Sequence, residues 1–324
     1  SVSLPTRRSR VRPPLPAPTN CKILNYITFI FQKFVKKKDI RFFKNNLIYY
    51  LFFRICRKFL NHDIIVNIFN FKVYASYKKN KTSHALLRKC GFDDVTELNI
   101  INKISQSKEI LFLDCGSNYG FYSLYAASLN NKNFVIGFEA SLNTCEAYKK
   151  NIELNNFKNV DLIQCALSNE NNESLEFFES ENDWESSISH ENFNLKAKKK
   201  VLTKTLDHVL KNKEFEGKNL IIKLDIEGNE FKALEGASKT IEDYSPVIII
   251  ELSRFIFENY NNRNYLSNFL IKYNYSIYNN KKKQLTESDI LDLIKQLDKS
   301  HNTIGNFYLI KKDSDNEKIF LKNE

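Results

Sequence analysis

From Glu109 onward the apolar and polar positions fall into blocks that repeat strand, helix, strand. Ile110–Asp114 is a short apolar run, Phe121–Ser128 opens a helix, and Phe134–Glu139 is a second apolar run. Thr144–Leu154 carries helical periodicity and Leu162–Leu167 predicts a third strand. Leu175–Glu179 reads as an extra strand before a polar loop that holds the only tryptophan, Trp184. A helix near Leu206–Leu210, a strand Leu220–Asp225, a helix Glu230–Ile241 and a strand Val247–Leu252 follow. Near-continuous apolar strands alternating with amphipathic helices predict an α/β domain, a mainly parallel sheet with helices on both faces. Tyr265–Tyr273 as a helix, with Tyr275–Tyr278 and Asn306–Ile310 as strands, would close that sheet with an antiparallel edge. Upstream, Val66–Tyr74 alternates as a short strand or hairpin does. Asn279–Ser300 and the tail after Lys312 are polar and read as mobile. No internal repeat is visible.

The N-terminal sixty residues do not follow this pattern. Residues 1–20 hold five of the six prolines and four arginines with no acid, and read as a disordered tail of foreign composition. Residues 21–62 read as a basic, aromatic helical extension, 63–312 as the catalytic domain and 313–324 as a polar tail. The net charge is +11; residues 1–20 supply +4 and residues 22–60 supply +9, which leaves about −2 for everything after. The domain itself therefore lacks the basic stripe that nucleic-acid binding needs. The uncharged runs Ile23–Gln32 and Asn45–Phe53 fall far short of the ~20 apolar residues that span a bilayer. The expectation is one or two helices packed on the domain. The alternative is a peripheral membrane contact through residues 22–60, with Phe and Tyr in the interface and Lys36–Lys38 facing anionic lipid. Six scattered cysteines without a CxxC pair predict reduced thiols and a cytoplasmic location, at most peripheral at the membrane.

Three segments carry candidate chemistry. Leu111–Gly120 is a strand ending in Asp114, then a loop with Gly116, Asn118 and Gly120, then a helix. Ligands of open α/β sheets bind at such carboxyl ends, where loop amides and helix N-termini point. The spacing is G-x-x-x-G, unlike dinucleotide binders and P-loops, and a tight turn uses glycine without any ligand. Glu139 ends the next strand, where an acid can accept both hydroxyls of a ribose; a solvated strand-end glutamate is the plain alternative. In the third segment, Lys223–Glu230, alternation places Lys223, Asp225 and Glu227 on one side if the strand stays extended. Gly228 would then turn the chain into a helix with Glu230 in its first turn. Such a cluster either prepares a hydroxyl for deprotonation or is a structural ion cluster. Glu251 adds an acid on the same rim; Asp225, Glu227 and Glu251 could share a divalent ion, but strand ends are often acidic and no metal is expected. The five histidines show no ligand spacing, His190 being the one placed to act as an alternative base, and Cys115 reads as a packing residue.

Over roughly residues 66–255 the chain resembles the FkbM-type methyltransferase family. The resemblance rests on the order and spacing of Asp114-Cys-Gly-Ser-Asn-Tyr-Gly120-Phe, Phe138-Glu139, Lys149–Asn155, Ala166-Leu-Ser168, the Trp184–Ser187 loop, Thr205-Leu-Asp207, Lys223–Gly228, Glu230, Leu234-Glu-Gly236 and Ile250-Glu251-Leu. Cys115, Ser117 and Tyr119 depart conservatively from the family's Asp-Val-Gly-Ala-Asn-Ile-Gly. What the resemblance implies is a Rossmann-like class I methyltransferase fold and methyl transfer from S-adenosylmethionine to oxygen, commonly on sugar or natural-product hydroxyls. It implies that Asp114, Gly116, Asn118 and Gly120 cradle the methionine end, that Glu139 holds the ribose, and that residues near Ala166 border the adenine. Asp225 is the expected base, positioned by Glu227 and Lys223. The expected partner is a small-molecule or glycan acceptor with a hydroxyl, and not nucleic acid. A methyltransferase fold that has lost catalysis and serves as a scaffold is the competing reading, and a nicotinamide-dependent oxidoreductase is disfavoured by the missing G-x-G-x-x-G.

Overall fold

A computed structural model describes residues 33, 37–59, 63–76, 81–91, 95–180, 195–211, 213, 215, 217–253, 256, 264–299 and 305–322. The expectations for residues 1–32, Trp184, His190 and Lys36 lie outside that set. In chain order the elements begin with a 3-10 turn, Ile40–Phe43, and helix α1, Leu47–Phe59. A hairpin follows, β1 (Ile64–Ile68) and β2 (Phe71–Ala75), then helices α2 (Lys81–Lys89) and α3 (Val95–Ser107). The alternating unit comprises β3 (Ile110–Cys115), α4 (Phe121–Leu129), β4 (Phe134–Glu139), α5 (Leu142–Asn155) and β5 (Val160–Gln164). Strands β6 (Ala166–Leu167), β7 (Ser174–Ser180) and β8 (Leu195–Lys204) form a side sheet, followed by α6 (Leu206–Leu210). The second half holds β9 (Asn219–Leu224), α7 (Glu230–Glu235), α8 (Ser238–Tyr244), β10 (Val247–Leu252), α9 (Tyr265–Tyr273) and β11 (Tyr275–Tyr278). Helix α10 (Glu287–Lys299), β12 (Gly305–Lys311) and α11 (Asp315–Leu321) complete it.

The main sheet has seven strands in the order β11-β12-β10-β9-β3-β4-β5. The pairs from β10 to β5 are parallel, and β12 runs antiparallel between β10 and β11, which gives the expected antiparallel edge. Strand β3 is buried at every position because both faces are covered. Period-two alternation sends Ile110 and Phe112 into one apolar cluster and Leu111, Leu113 and Cys115 into the other. The strand order reverses between β3 and β9, so a crevice opens at their carboxyl ends. The hairpin and α1 share the first cluster: Tyr49, Phe53 and Cys56 pack with Val66, Ile68 and Val73.

Four expectations change. The strand foreseen over Leu162–Leu167 breaks at Cys165, and Ala166–Leu167 pairs instead with Thr203–Lys204 of β8. The long β8 itself went unseen, because five lysines among its ten residues mask its alternation. The helix foreseen over Glu230–Ile241 is two short helices. A Cβ at Gly236 would stand 2.2 Å from the Ser168 carbonyl, and the carboxylate of Asp207 accepts hydrogen bonds from the Lys239 and Thr240 amides to start the second helix. The stretches foreseen as mobile after Asn279 and Lys312 contain α10 and α11. Ile290 of α10 and Phe320 of α11 are buried, Phe320 against Tyr278 and Tyr308. One buried phenylalanine contributes about 2–3 kcal/mol, enough to hold a two-turn helix down.

Candidate active site

The carboxyl ends of β3, β9 and β10 bring their ionisable side chains to one face of the sheet. Asp114 of β3 and Lys223 of β9 are register partners on neighbouring parallel strands, next to the switch point. Both are almost fully buried. Lys223 Nζ lies 2.7 Å from Asp225 Oδ2 and 4.6 Å from the centroid of the Tyr122 ring, so a salt bridge and a cation–π contact hold the ammonium. Burial opposes its charge, but Asp225 and Asp114 outweigh that and raise its pKa above the ordinary lysine value. Asp114 Oδ2 accepts the amide (3.0 Å) and hydroxyl (2.6 Å) of Ser123, in the first turn of α4. Its Oδ1 is buried and has no hydrogen-bond partner among the described residues. Burial raises the pKa of Asp114 against the pull of Lys223 and Ser123.

Strand β9 does not stay extended through Glu227. It ends at Leu224, Asp225 donates its amide to the Cys115 carbonyl (3.1 Å), and Glu227 takes a left-handed φ of 55° before Gly228 at 109°. The turn is closed by Glu230, whose carboxylate accepts from the Ile226 (2.9 Å) and Gly228 (3.0 Å) amides. The foreseen alignment of Lys223, Asp225 and Glu227 along a strand is therefore replaced by a turn, because the Glu230 carboxylate binds the turn's amides. The convergence survives: one carboxylate oxygen each from Asp225, Glu227 and Glu251 lies within 4.8 Å of the others. Asp225 remains one-third exposed, at 34%. Burial raises its pKa, but the Lys223 ammonium and a hydrogen bond with Glu251 bring it below the ordinary carboxylate value. The Asp225 charge, and then burial, push Glu251 up to about 10. The two acids are thereby pushed in opposite directions, Asp225 toward its ionised form and Glu251 toward its protonated form.

The glycine loop is set by packing against this cluster. Gly116 has φ 79°, and a Cβ there would stand 1.8 Å from the Asp225 carbonyl oxygen. The amides of Gly116 and Ser117 donate to the Phe138 carbonyl (3.0 and 2.9 Å), tying the loop to the end of β4. Gly120 also has φ 79°, and its Cβ would lie 2.0 Å from the ring of Tyr148 of α5. Asn118, at φ 50°, donates its amide to Glu139 Oε2 (2.9 Å), while Ser141 donates its amide to Oε1 (2.8 Å). Glu139 is buried; burial pushes its pKa up to about 7 against the pull of the Ser141, Asn118 and Ala140 amides. Its backbone carbonyl accepts the Cys165 amide (3.0 Å), which brings buried Ala166 beside the same strand end.

Asp114, Gly116, Asn118, Glu139, Lys223, Asp225, Glu227 and Glu251 thus stand at or just after the carboxyl ends of β3, β4, β9 and β10, Gly120 packs on Tyr148, and His190 lies outside the described residues. Ser123, Tyr122, Ser141, Tyr148 and Glu230's turn-closing role were not foreseen as site features. Only Ser141 carried a signal: it is an N-cap serine before α5, its hydroxyl accepting from the Thr144 amide. Cys115 is fully buried, and burial raises its thiol pKa well above the ordinary value, as suits a packing residue.

The residues also fit an adenosyl cofactor. Asp114 Oδ1, without a partner among the described residues, can accept from an ammonium group, and Glu139, held by the Asn118, Ser141 and Ala140 amides, keeps acceptor capacity on its two oxygens for a hydroxyl pair. A mainly parallel seven-stranded sheet with one antiparallel insertion, a glycine loop at the switch point and a buried acid ending the next strand define a Rossmann-like domain of the class I methyltransferase type. The FkbM methyltransferase domain matches residues 114–277, slightly more than half of the chain. The chain belongs to that family, and is thereby a methyltransferase of the S-adenosylmethionine-dependent class.

No curated protein matches the chain. Among solved structures it is similar to the FkbM methyltransferase of Methylobacillus flagellatus KT (15% identity, TM-score 0.38), covering 62% of this chain and 43% of that one. It is also similar to an O-methyltransferase from Bacillus cereus in complex with SAH, at 15% identity and a TM-score of 0.39 over 68% of this chain and 82% of that one. A putative methyltransferase from Streptococcus mutans, also in complex with SAH, gives 12% identity and a TM-score of 0.39 over 68% and 98%. At these values the likenesses add no weight to the family match. The chain spans less than half the length of the Methylobacillus protein.

Proposed function

We propose that the chain is an O-methyltransferase that methylates a hydroxyl of a sugar, glycan or glycosylated metabolite. The observation that carries this reading is the abutment of the two halves of the site: Gly116 of the cofactor loop packs directly on the backbone of Asp225. An acceptor hydroxyl at Asp225 would therefore sit beside the cofactor crevice.

S-adenosylmethionine, when bound, supplies a methyl group already activated on a sulfonium. Asp114 and the loop at Gly116, Asn118 and Gly120 would hold its methionine end, Glu139 its ribose, and the chain near Ala166 its adenine. Asp225 would accept the hydrogen bond of the acceptor hydroxyl and take its proton as the methyl group passes from sulfur to that oxygen, the thioether product leaving. Lys223 holds Asp225 in place by a salt bridge and lowers its pKa, while Glu251, its own pKa raised by the Asp225 charge, would stand beside Asp225 without adding charge. A carboxylate held below its usual pKa is a modest base, so alignment of the hydroxyl supplies most of the catalysis. Glu227, in its left-handed turn beside Asp225, would orient the acceptor.

The near-neutral net charge of the chain after residue 60 favours an uncharged acceptor over nucleic acid, and the cysteine pattern favours the cytoplasm. The test is methyl transfer from radiolabelled S-adenosylmethionine to a panel of sugars and glycosides, run beside Asp225→Asn. Label on an acceptor hydroxyl that disappears with the variant supports the reading. Transfer to RNA, or to nitrogen, would replace it.

A further inference from the structure

Helix α1 buries Tyr49, Phe53 and Cys56 against the hairpin, and its opposite face is not polar where it begins. Leu47 is 71% exposed, Ile48 65%, Tyr50 49% and Leu51 51%, and Phe42 in the preceding turn is 68% exposed. These five stand within ten positions of one another. The eight other exposed large hydrophobics among the described residues lie one each on eight different elements. Apolar residues scattered singly are ordinary on a surface, whereas a run of them on one exposed helix face marks a contact.

The same face turns basic in its second half. On a helical wheel Leu47, Leu51, Arg54 and Lys58 follow one stripe, with Arg57 at its flank. Lys37, Lys38 and Lys44, all exposed, precede the helix, whereas Arg41 is held by Asp39 and by the Phe69 ring. Seven Lys or Arg thus accompany one acid between residues 37 and 59, and that acid, Asp39, is already bound by Arg41 (2.7 Å) and by the Phe69 amide (2.8 Å).

We propose that this face docks on an anionic lipid surface, with Phe42, Leu47, Ile48, Tyr50 and Leu51 entering the interfacial layer and the surrounding Lys and Arg on the lipid phosphates. Apolar side chains ringed by cations are the composition of an interfacial helix. A protein–protein interface core is by contrast depleted in lysine. The contact is peripheral: no helix of the described residues is long and apolar enough to cross a membrane. The inference is independent of the methyl-transfer reading.

The experiment is flotation of the full chain with phosphatidylcholine vesicles, and with vesicles in which about one third of the lipid is phosphatidylserine. The chain floats with the anionic vesicles and at least about tenfold less with the neutral ones or at high salt. The triple variant Leu47→Ser/Ile48→Ser/Leu51→Ser and the triple variant Arg54→Gln/Arg57→Gln/Lys58→Gln each lose most of the bound fraction. All six side chains are exposed, so circular dichroism and the unfolding midpoint stay at wild-type values; the single variant Leu47→Ser serves if a triple one does not fold. Three results would overturn the proposal: no flotation of the wild-type chain, wild-type flotation of either triple variant, or a concentration-dependent dimer abolished by the apolar variant in a chain that binds no lipid.

Discussion

Gly116 and Asp225 touch backbone to backbone: the position a Cβ of Gly116 would occupy is 1.8 Å from the Asp225 carbonyl oxygen. The loop after β3 and the turn after β9 are thereby one rigid unit, reinforced by the Asp225 amide donating to the Cys115 carbonyl. Gly116→Ala forces both a left-handed alanine and a backbone clash. The expected cost is about 3 kcal/mol of stability, read as a lowered denaturant midpoint. Cofactor affinity should fall with it, because the loop cannot keep its place.

Asp225→Asn removes the proton acceptor while keeping the side chain's shape. Turnover should drop by about 10²- to 10⁴-fold, with S-adenosylhomocysteine affinity unchanged within a few-fold by calorimetry. Retained turnover would take Asp225 out of the role.

The Asp225 charge and burial raise the Glu251 pKa and favour its protonated, neutral form. Glutamine reproduces that form and alanine does not. Glu251→Gln should keep turnover within a few-fold at neutral pH, while Glu251→Ala should cost about tenfold or more, by loss of the hydrogen bond that holds Asp225. Equal losses in both variants would mean that the carboxylate charge matters.

Burial raises the pKa values of Glu139 and Glu230 to about 7 from an ordinary 4.5. The folded chain therefore binds more protons than the unfolded chain between those values, and stability falls as pH rises from about 4.5 to about 7. For Glu230, fully buried, the contribution is about 3 kcal/mol at most. Glu230→Gln should flatten that part of the stability–pH curve, followed by thermal unfolding at several pH values. A curve as steep as the wild type's would contradict the assignment.

Much of this was legible in the sequence, for physical reasons that also explain the gaps. Strands β3, β4, β9 and β10 are apolar at nearly every position because helices cover both faces, so they stood out. The break between α7 and α8 did not, since it depends on Gly236 meeting Ser168, far away in the chain. Helices α10 and α11 were hidden by polar composition, yet each opens with a readable cap. Thr286 Oγ1 accepts the Asp289 amide while Asp289 accepts the Thr286 amide, and Ser314 accepts the Glu317 amide. At the candidate site, residue types and rough order sufficed to place Asp114, Glu139 and Asp225 at the carboxyl ends of β3, β4 and β9. The approach of Glu251 to Asp225 needed three dimensions, because it joins the ends of two different strands.

The central claim, that the rim of β3 and β4 holds an adenosyl cofactor, is tested most directly by calorimetric titration of S-adenosylhomocysteine into the wild-type chain and into Glu139→Ala. Micromolar binding that weakens by about tenfold to a hundredfold in the variant is the expected result, the loss of two hydrogen bonds to a carboxylate. No binding by a folded, monodisperse sample would contradict it.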